Sequence, residues 1–273
     1  MNLAPILVIG SLLMLSACGQ SETSFREDSG VSGDAIQAAA GQSDLGTIDV
    51  NFPQPGMEIE PQVTALVVIN PQVEFLSPDG VGWGLVGRGV VENRVVDHLV
   101  SLFETAHTLD MPIYVSPYEF AGVENRWQFR DTRVAAQSAD IADDSDAKIA
   151  RQTPGSGGDW HQALKPMIEN GSTIIVRPHR LYGPESNDLV ERLRAAGIQR
   201  VILAGMCANL SVEAHLRELV EQGFEVQVVS DATAGIVTDD YDGYSAAMTN
   251  FRLIAHEIDT TDNTVEAMRA AYR

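Results

Sequence analysis

The stretch AGMCANLSVEAHLREL, residues 204–219, puts two nucleophile-bearing side chains, Cys207 and Ser211, where an apolar strand hands over to an amphipathic helix. Either side chain can attack a carbonyl carbon, on different terms. A thiol ionises near about pH 8.5, and a helix N-terminus lowers that value, so Cys207 needs little help. A serine hydroxyl is far less acidic and needs a positioned base. A lone buried thiol is also commonly inert. The choice between the two rests on what the rest of the chain brings to this junction.

The chain must supply elements that deliver partners there. TALVVIN (64–70) is the β-branched apolar run of a doubly covered parallel strand. Val91, Val95, Leu99, Leu102 and Ala106 follow at helical spacing and predict one amphipathic helix over 89–109. MPIYVS (111–116) and STIIVR (172–177) read as strands, and 187–196 as a helix stopped by Gly197. Strand 200–206, helix 209–222 and strand 224–232 follow. A helix over 241–255, a strand over 257–261 and a closing helix over 262–272 complete the chain. This alternation predicts a three-layer α/β/α sandwich, Rossmann-like, around a mainly parallel sheet of about six strands. Ligands of such sheets sit beyond the strand C-terminal ends, here Asn70, Ser116, Arg177, Met206 and Asp231. The polar segment 117–171, carrying Trp127, Phe129 and Trp160, reads as a lid or binding loop, with GSGG (155–158) as its flexible part.

Eighteen basic residues against 38 acidic ones give a net charge of −20, which repels phosphate backbones and argues against nucleic-acid binding. At the N-terminus LAPILVIGSLLMLS (3–16) is too short for a transmembrane helix of ~20 residues and has the length of an export signal's apolar core. It runs into Leu15-Ser16-Ala17-Cys18, which resembles the lipobox of bacterial lipoproteins. That resemblance implies a signal peptide over 1–18, lipidation of Cys18, and membrane contact through the lipid anchor only. Gly19 after the Cys implies, by the same resemblance, a periplasm-facing outer-membrane lipoprotein of the cell envelope. Residues 19–61 read as a disordered acidic linker, leaving 62–273 as the folded body.

From about residue 62 onward the sequence resembles the isochorismatase-like cysteine hydrolase superfamily. The likeness rests on VVINPQVEF (67–75), VRPHRLYGPESNDLVERLRAAGIQRVILAGMCANLSVE (176–213) and FEVQVVSDATAG (224–235). It implies hydrolysis of amides or related small carbonyl compounds. An Asp after the first strand, a basic residue after the third and a Cys after the fourth would carry the reaction, and two backbone N–H groups beside a cis peptide would hold the oxyanion. Carried over, these positions are Asn70, Arg177 and Ser211, with Met206–Cys207 as the cis bond and Cys207 and Ser211 as oxyanion donors.

Two of those residues depart from the family pattern. Asn70 has no ionisable group and Ser211 is not a thiol, so the usual proton route is cut. Three alternatives remain: attack by Cys207, His179 as an auxiliary base toward Ser211, or Glu74 or His215 in that role, His215 lying one helical turn from Ser211. The metal site of the nicotinamidase branch is not expected, since its place reads SPYEFAGVENRW; no cofactor is implied. Asn187-Asp188-Leu189 reads as a helix start. The family's frequent homo-oligomers imply a homodimer. Two functions follow: a hydrolase of a small carbonyl or amide substrate with a non-standard site, or a catalytically inactive member that binds a small molecule or serves assembly.

Overall fold

The computed structural model describes residues 54–118, 154–180 and 182–273. The expected signal peptide, Cys18, most of the linker and lid residues 119–153, with Trp127 and Phe129, lie outside the described residues.

In chain order the elements are β1 (Thr64–Ile69), α1 (Val73–Leu76), α2 (Trp83–Glu92), α3 (Val95–Thr108), β2 (Ile113–Ser116), α4 (Lys165–Ile168) and β3 (Ile174–Ile175). A 3₁₀ turn (Pro184–Ser186), α5 (Leu189–Ala195), β4 (Arg200–Met206), a π-helical turn (Ala208–Val212) and α6 (Glu213–Glu221) follow. The chain closes with β5 (Glu225–Ala234), α7 (Gly243–Ile254), β6 (Glu257–Asp259) and α8 (Thr261–Ala271). The six strands form one all-parallel sheet in the order β3-β2-β1-β4-β5-β6. Parallel neighbours need crossovers, and the helices that make them cover both faces.

β1 shows the three layers directly, because all six of its residues are buried. Leu66 and Val68 face the core made with Leu99, Leu102 and Phe103 of α3 and Val265 and Met268 of α8. Ala65, Val67 and Ile69 face the opposite core, made with Leu189 and Leu193 of α5, Leu216 and Leu219 of α6 and Phe251 of α7. Each such Leu or Phe contributes about 1.5–3 kcal/mol when fully buried.

Several elements differ from expectation. The single helix predicted over 89–109 is two helices, broken where Arg94 takes a left-handed φ of 50°. Val91, counted into the apolar stripe, is 64% exposed, and its neighbour Val90 is the buried one. The strand predicted over 172–177 is reduced to two residues at the sheet edge. The strand predicted over 257–261 stops at Asp259, because Thr260 caps α8 by accepting from Asn263 N. Ordered body also begins before residue 62: Met57 is buried, Gly56 N donates to His256 O, and Gln54 accepts from Ile258 N beside β6. One apolar side chain and edge hydrogen bonds leave no periodic signal in sequence.

The described end of the lid segment is packed. Trp160 is buried and bridges Gln72, whose side chain donates to Tyr118 O and Gly158 O. GSGG is not a free hinge there. Glu74 N donates to Gly157 O, and a Cβ on Gly157 would come 2.6 Å from Glu74 Oε2, so a side chain there would have to displace the Glu74 carboxylate.

Candidate functional site

The candidate site begins where β1 and β4 end side by side. Ile69 pairs with Gly205, and Asn70 N donates to Ser116 O at 3.0 Å. Gly205 has φ 113°, and a Cβ there would lie 2.0 Å from Ile69 O, so only glycine lets the two strands meet this closely. Asn70 itself takes a φ of 49°, a conformation asparagine tolerates better than most residues. The Met206–Cys207 peptide is cis.

From this geometry a directed hydrogen-bond chain follows. Asn70 Nδ2 donates to the carbonyl of Met206 at 2.8 Å. A carbonyl only accepts, so the amide's Oδ1 must face the other way, toward His179 Nε2 at 2.8 Å. His179 therefore carries its proton on Nε2 and presents Nδ1 as a bare acceptor. His179 and Asn70 are essentially inaccessible to solvent, and His179 Nδ1 has no hydrogen-bond partner among the described residues. Burial, and next the neighbouring His215, hold the His179 imidazole well below its usual range, so it is neutral.

His179 arrives here through a local irregularity. Ile175 pairs with Val115, whereas His179 bridges Tyr118, so four residues on one side span three on the other. The extra residue falls across Pro178. As a result His179 N donates to Pro117 O and its ring turns inward, 5.6 Å from the ring of Tyr118. Arg177, expected as the basic group of the site, is not brought to the others. Its side chain is 70% exposed, and its guanidinium lies 3.6 Å from Asp188 Oδ2.

Ser211 is buried on the π-helical turn, where Cys207 O accepts from both Leu210 N and Val212 N. Such turns recur at functional sites because they re-aim side chains. His215 does not face the Ser211 hydroxyl as a base. Its Nδ1 donates to the Ser211 carbonyl at 2.7 Å, and burial pushes its pKa down to about 4. Among the described residues no hydrogen bond joins His179 to the Ser211 hydroxyl.

Cys207 is a poor thiolate source. Burial, and next the charge of Glu74, push its thiol up to about 12. Glu74 is itself raised by burial, against the lowering effect of the Val81 and Gly82 N–H groups that it accepts. Those two bonds make it the clasp for the start of α2. Among the described residues no three His, Cys, Asp or Glu side chains group as metal ligands. Two contributors had no sequence signal of a role here: Ser116 Oγ, which bonds His215 Nε2 at 2.9 Å, and Asn187 Nδ2, which donates to Ser116 Oγ at 2.9 Å. Asn187 also meets its expected use as a helix start, accepting from Leu189 N.

Known proteins share this frame. The Isochorismatase domain family matches residues 64–262. An uncharacterized isochorismatase family protein, YddQ of Bacillus subtilis (strain 168), is 30% identical over 80 residues, a match covering 29% of this chain and 42% of that protein. The ureidoacrylate amidohydrolase RutB of Methylobacterium radiotolerans is 25% identical over 194 residues, covering 66% of this chain and 70% of that one. Among solved structures, a cysteine hydrolase from Pseudomonas syringae pv. phaseolicola 1448A superposes with a TM-score of 0.68 at 21% identity, covering 81% of this chain and all of that one. With the family domain spanning most of the chain and the parallel sheet it implies, this protein belongs to the isochorismatase family of hydrolases.

Proposed function

We propose that the chain hydrolyses a small carbonyl compound of the amide type, with Ser211 as nucleophile and His179 as its base. The observation that carries this reading is the bare, buried Nδ1 of His179 at the end of the Met206–Asn70–His179 chain. A neutral imidazole held in one tautomer by an amide is what a serine hydroxyl needs in place of a carboxylate. The amidohydrolase name carried by the Methylobacterium radiotolerans relative supports the amide class.

In this reading Ser211 Oγ attacks the carbonyl carbon while His179 Nδ1 takes its proton, directly or through one water. That proton then passes to the departing amine. A water next attacks the acyl-serine, again with His179 as base, and the proton returns to Ser211. The backbone N–H groups of Cys207 and Ser211 receive the oxyanion, so Cys207 contributes its amide and not its thiol. Hydrogen bonds of this kind often form fully only with substrate bound, which accommodates the unbonded His179 and Ser211. We also propose that a lipid on Cys18 tethers the protein to the outer membrane. Incorporation of labelled palmitate that survives Cys18→Ser would refute the anchor.

The missing His179–Ser211 bond favours a second reading, a catalytically silent member that keeps the crevice for ligand binding. Intact-mass spectrometry after exposure to p-nitrophenyl acetate separates the two. The catalytic reading expects an acyl adduct on Ser211, absent in Ser211→Ala and formed at least ~100-fold more slowly in His179→Ala. No adduct, or equal ester turnover in parent and Ser211→Ala, leaves the silent reading.

A further inference from the structure

His215 is fully buried, and both of its ring nitrogens are engaged. The Ser211 carbonyl, 2.7 Å from His215 Nδ1, only accepts, so Nδ1 carries the proton of the neutral ring, and the Tyr182 carbonyl is a second backbone acceptor at the same ring. Ser116 Oγ already accepts from Asn187 Nδ2, which leaves its hydroxyl proton to point at His215 Nε2. A polarised line thus runs Asn187 to Ser116 to His215 to the Ser211 carbonyl, joining the loop before α5, the end of β2 and the nucleophile turn. The same ring packs edge-on against His179, with centroids 4.9 Å apart and planes at 75°.

Resting on the reading of Ser211 and His179 given above, we infer that His215 is a positioning residue that fixes both partners at once: its Nδ1–H sets the Ser211 peptide, and its ring wall sets the plane of His179. Ser211 sits on a π-helical turn, where backbone bonding is less regular than in an α-helix and a side chain four residues on can take its carbonyl. A carbonyl held there fixes where the following atoms of residue 211 project. An isolated hydrogen bond in the core would not also contact the base. His215 touches both members of the pair.

The test compares His215→Phe, which keeps a ring but no polar atom, with His215→Asn, whose Nδ2 reaches the place of Nδ1. A fluorophosphonate probe labels Ser211, and intact mass gives the limiting labelling rate and the half-saturating concentration separately. His215→Phe should lower the limiting rate by ~30- to 100-fold with little change in half-saturation, the size expected of a misplaced nucleophile. His215→Asn should recover most of that loss. Equal loss in both variants, or none in His215→Phe, overturns the assignment. Should His215→Phe fail to fold, Ser116→Ala carries the test through the far end of the line, and an unchanged limiting rate there overturns it. If the parent protein takes no label, the nucleophile reading has failed, and positioning is read from the ¹⁵N shifts of the His179 ring. A His179 ring signal unchanged in His215→Phe, which keeps the ring wall, and shifted or broadened in His215→Asn, which lacks it, supports positioning; the same signal in all three overturns it.

Discussion

His179 donates from Nε2 to Asn70 Oδ1 at 2.8 Å, and the orientation of that amide is dictated by the Met206 carbonyl on the far side. A backbone oxygen of β4 thereby selects which nitrogen of a buried histidine is free. The family's usual carboxylate would bring no donor for that oxygen, so the asparagine is fitted to this arrangement and is not merely a lost acid.

Removing the amide should therefore be costly. Asn70→Ala leaves Met206 O and His179 Nε2–H buried without partners, and each unsatisfied group costs about 1–3 kcal/mol. Urea unfolding is expected to show a loss of about 2–5 kcal/mol at unchanged m-value. A loss below about 0.5 kcal/mol would mean that water replaces both bonds without penalty.

The thiol of Cys207 should be unreactive in the folded protein, since its pKa of about 12 leaves almost no thiolate at neutral pH. Iodoacetamide alkylation at pH 7, mapped by peptide mass in a Cys18→Ser background, is expected to run far more slowly than that of glutathione. Alkylation as fast as the free thiol would return Cys207 to the list of nucleophiles.

Stability should fall in mild acid. His215 has a folded value of about 4 against an ordinary 6.5, so between those values the unfolded chain binds more protons. Its contribution is complete above about pH 6.5 and drains away as pH falls toward 4, amounting to about 3 kcal/mol for this residue. His179, also depressed, acts in the same direction, while Glu74, raised by burial, acts in the opposite one within its own range. Thermal unfolding from pH 7 to pH 4 checks this: His215→Asn should show a shallower slope than the parent, and equal slopes would show that the histidine does not titrate as its burial demands.

Arg177 is expected to be dispensable. Its side chain is 70% exposed and 3.6 Å from Asp188, a carboxylate already held by Arg192 at 2.7 Å. Arg177→Gln should change stability by less than about 0.5 kcal/mol, as for most exposed pairs, and leave the labelling of Ser211 as it was. A tenfold or greater loss of labelling would put its charge back in the reaction.

Much of the frame was legible because it is periodic. The run RVILAGM is β4 to the residue, and the Gly197 stop, the α7 and α8 segments and the parallel alternation follow from apolar spacing and turn chemistry. Periodicity failed where it continued across a break. Val91 and Val95 fit one helical stripe, yet the left-handed Arg94 between them ends one helix and starts a second. The short edge strand β3 lost most of its expected length because neighbours on one side only supply half the hydrogen bonds of a central strand.

The sequence by itself determined the layered sheet, the family, and the junction after β4 that carries Cys207 and Ser211. Tertiary structure decided which basic residue is buried beside Asn70. One additional residue across Pro178 carries Arg177 out to solvent and His179 in to Asn70, and no local pattern encodes a register offset that depends on a strand some 60 positions earlier. It also decided that burial raises the thiol and lowers the two histidines, since the free energy of a charge depends on how much water the assembled fold leaves around it.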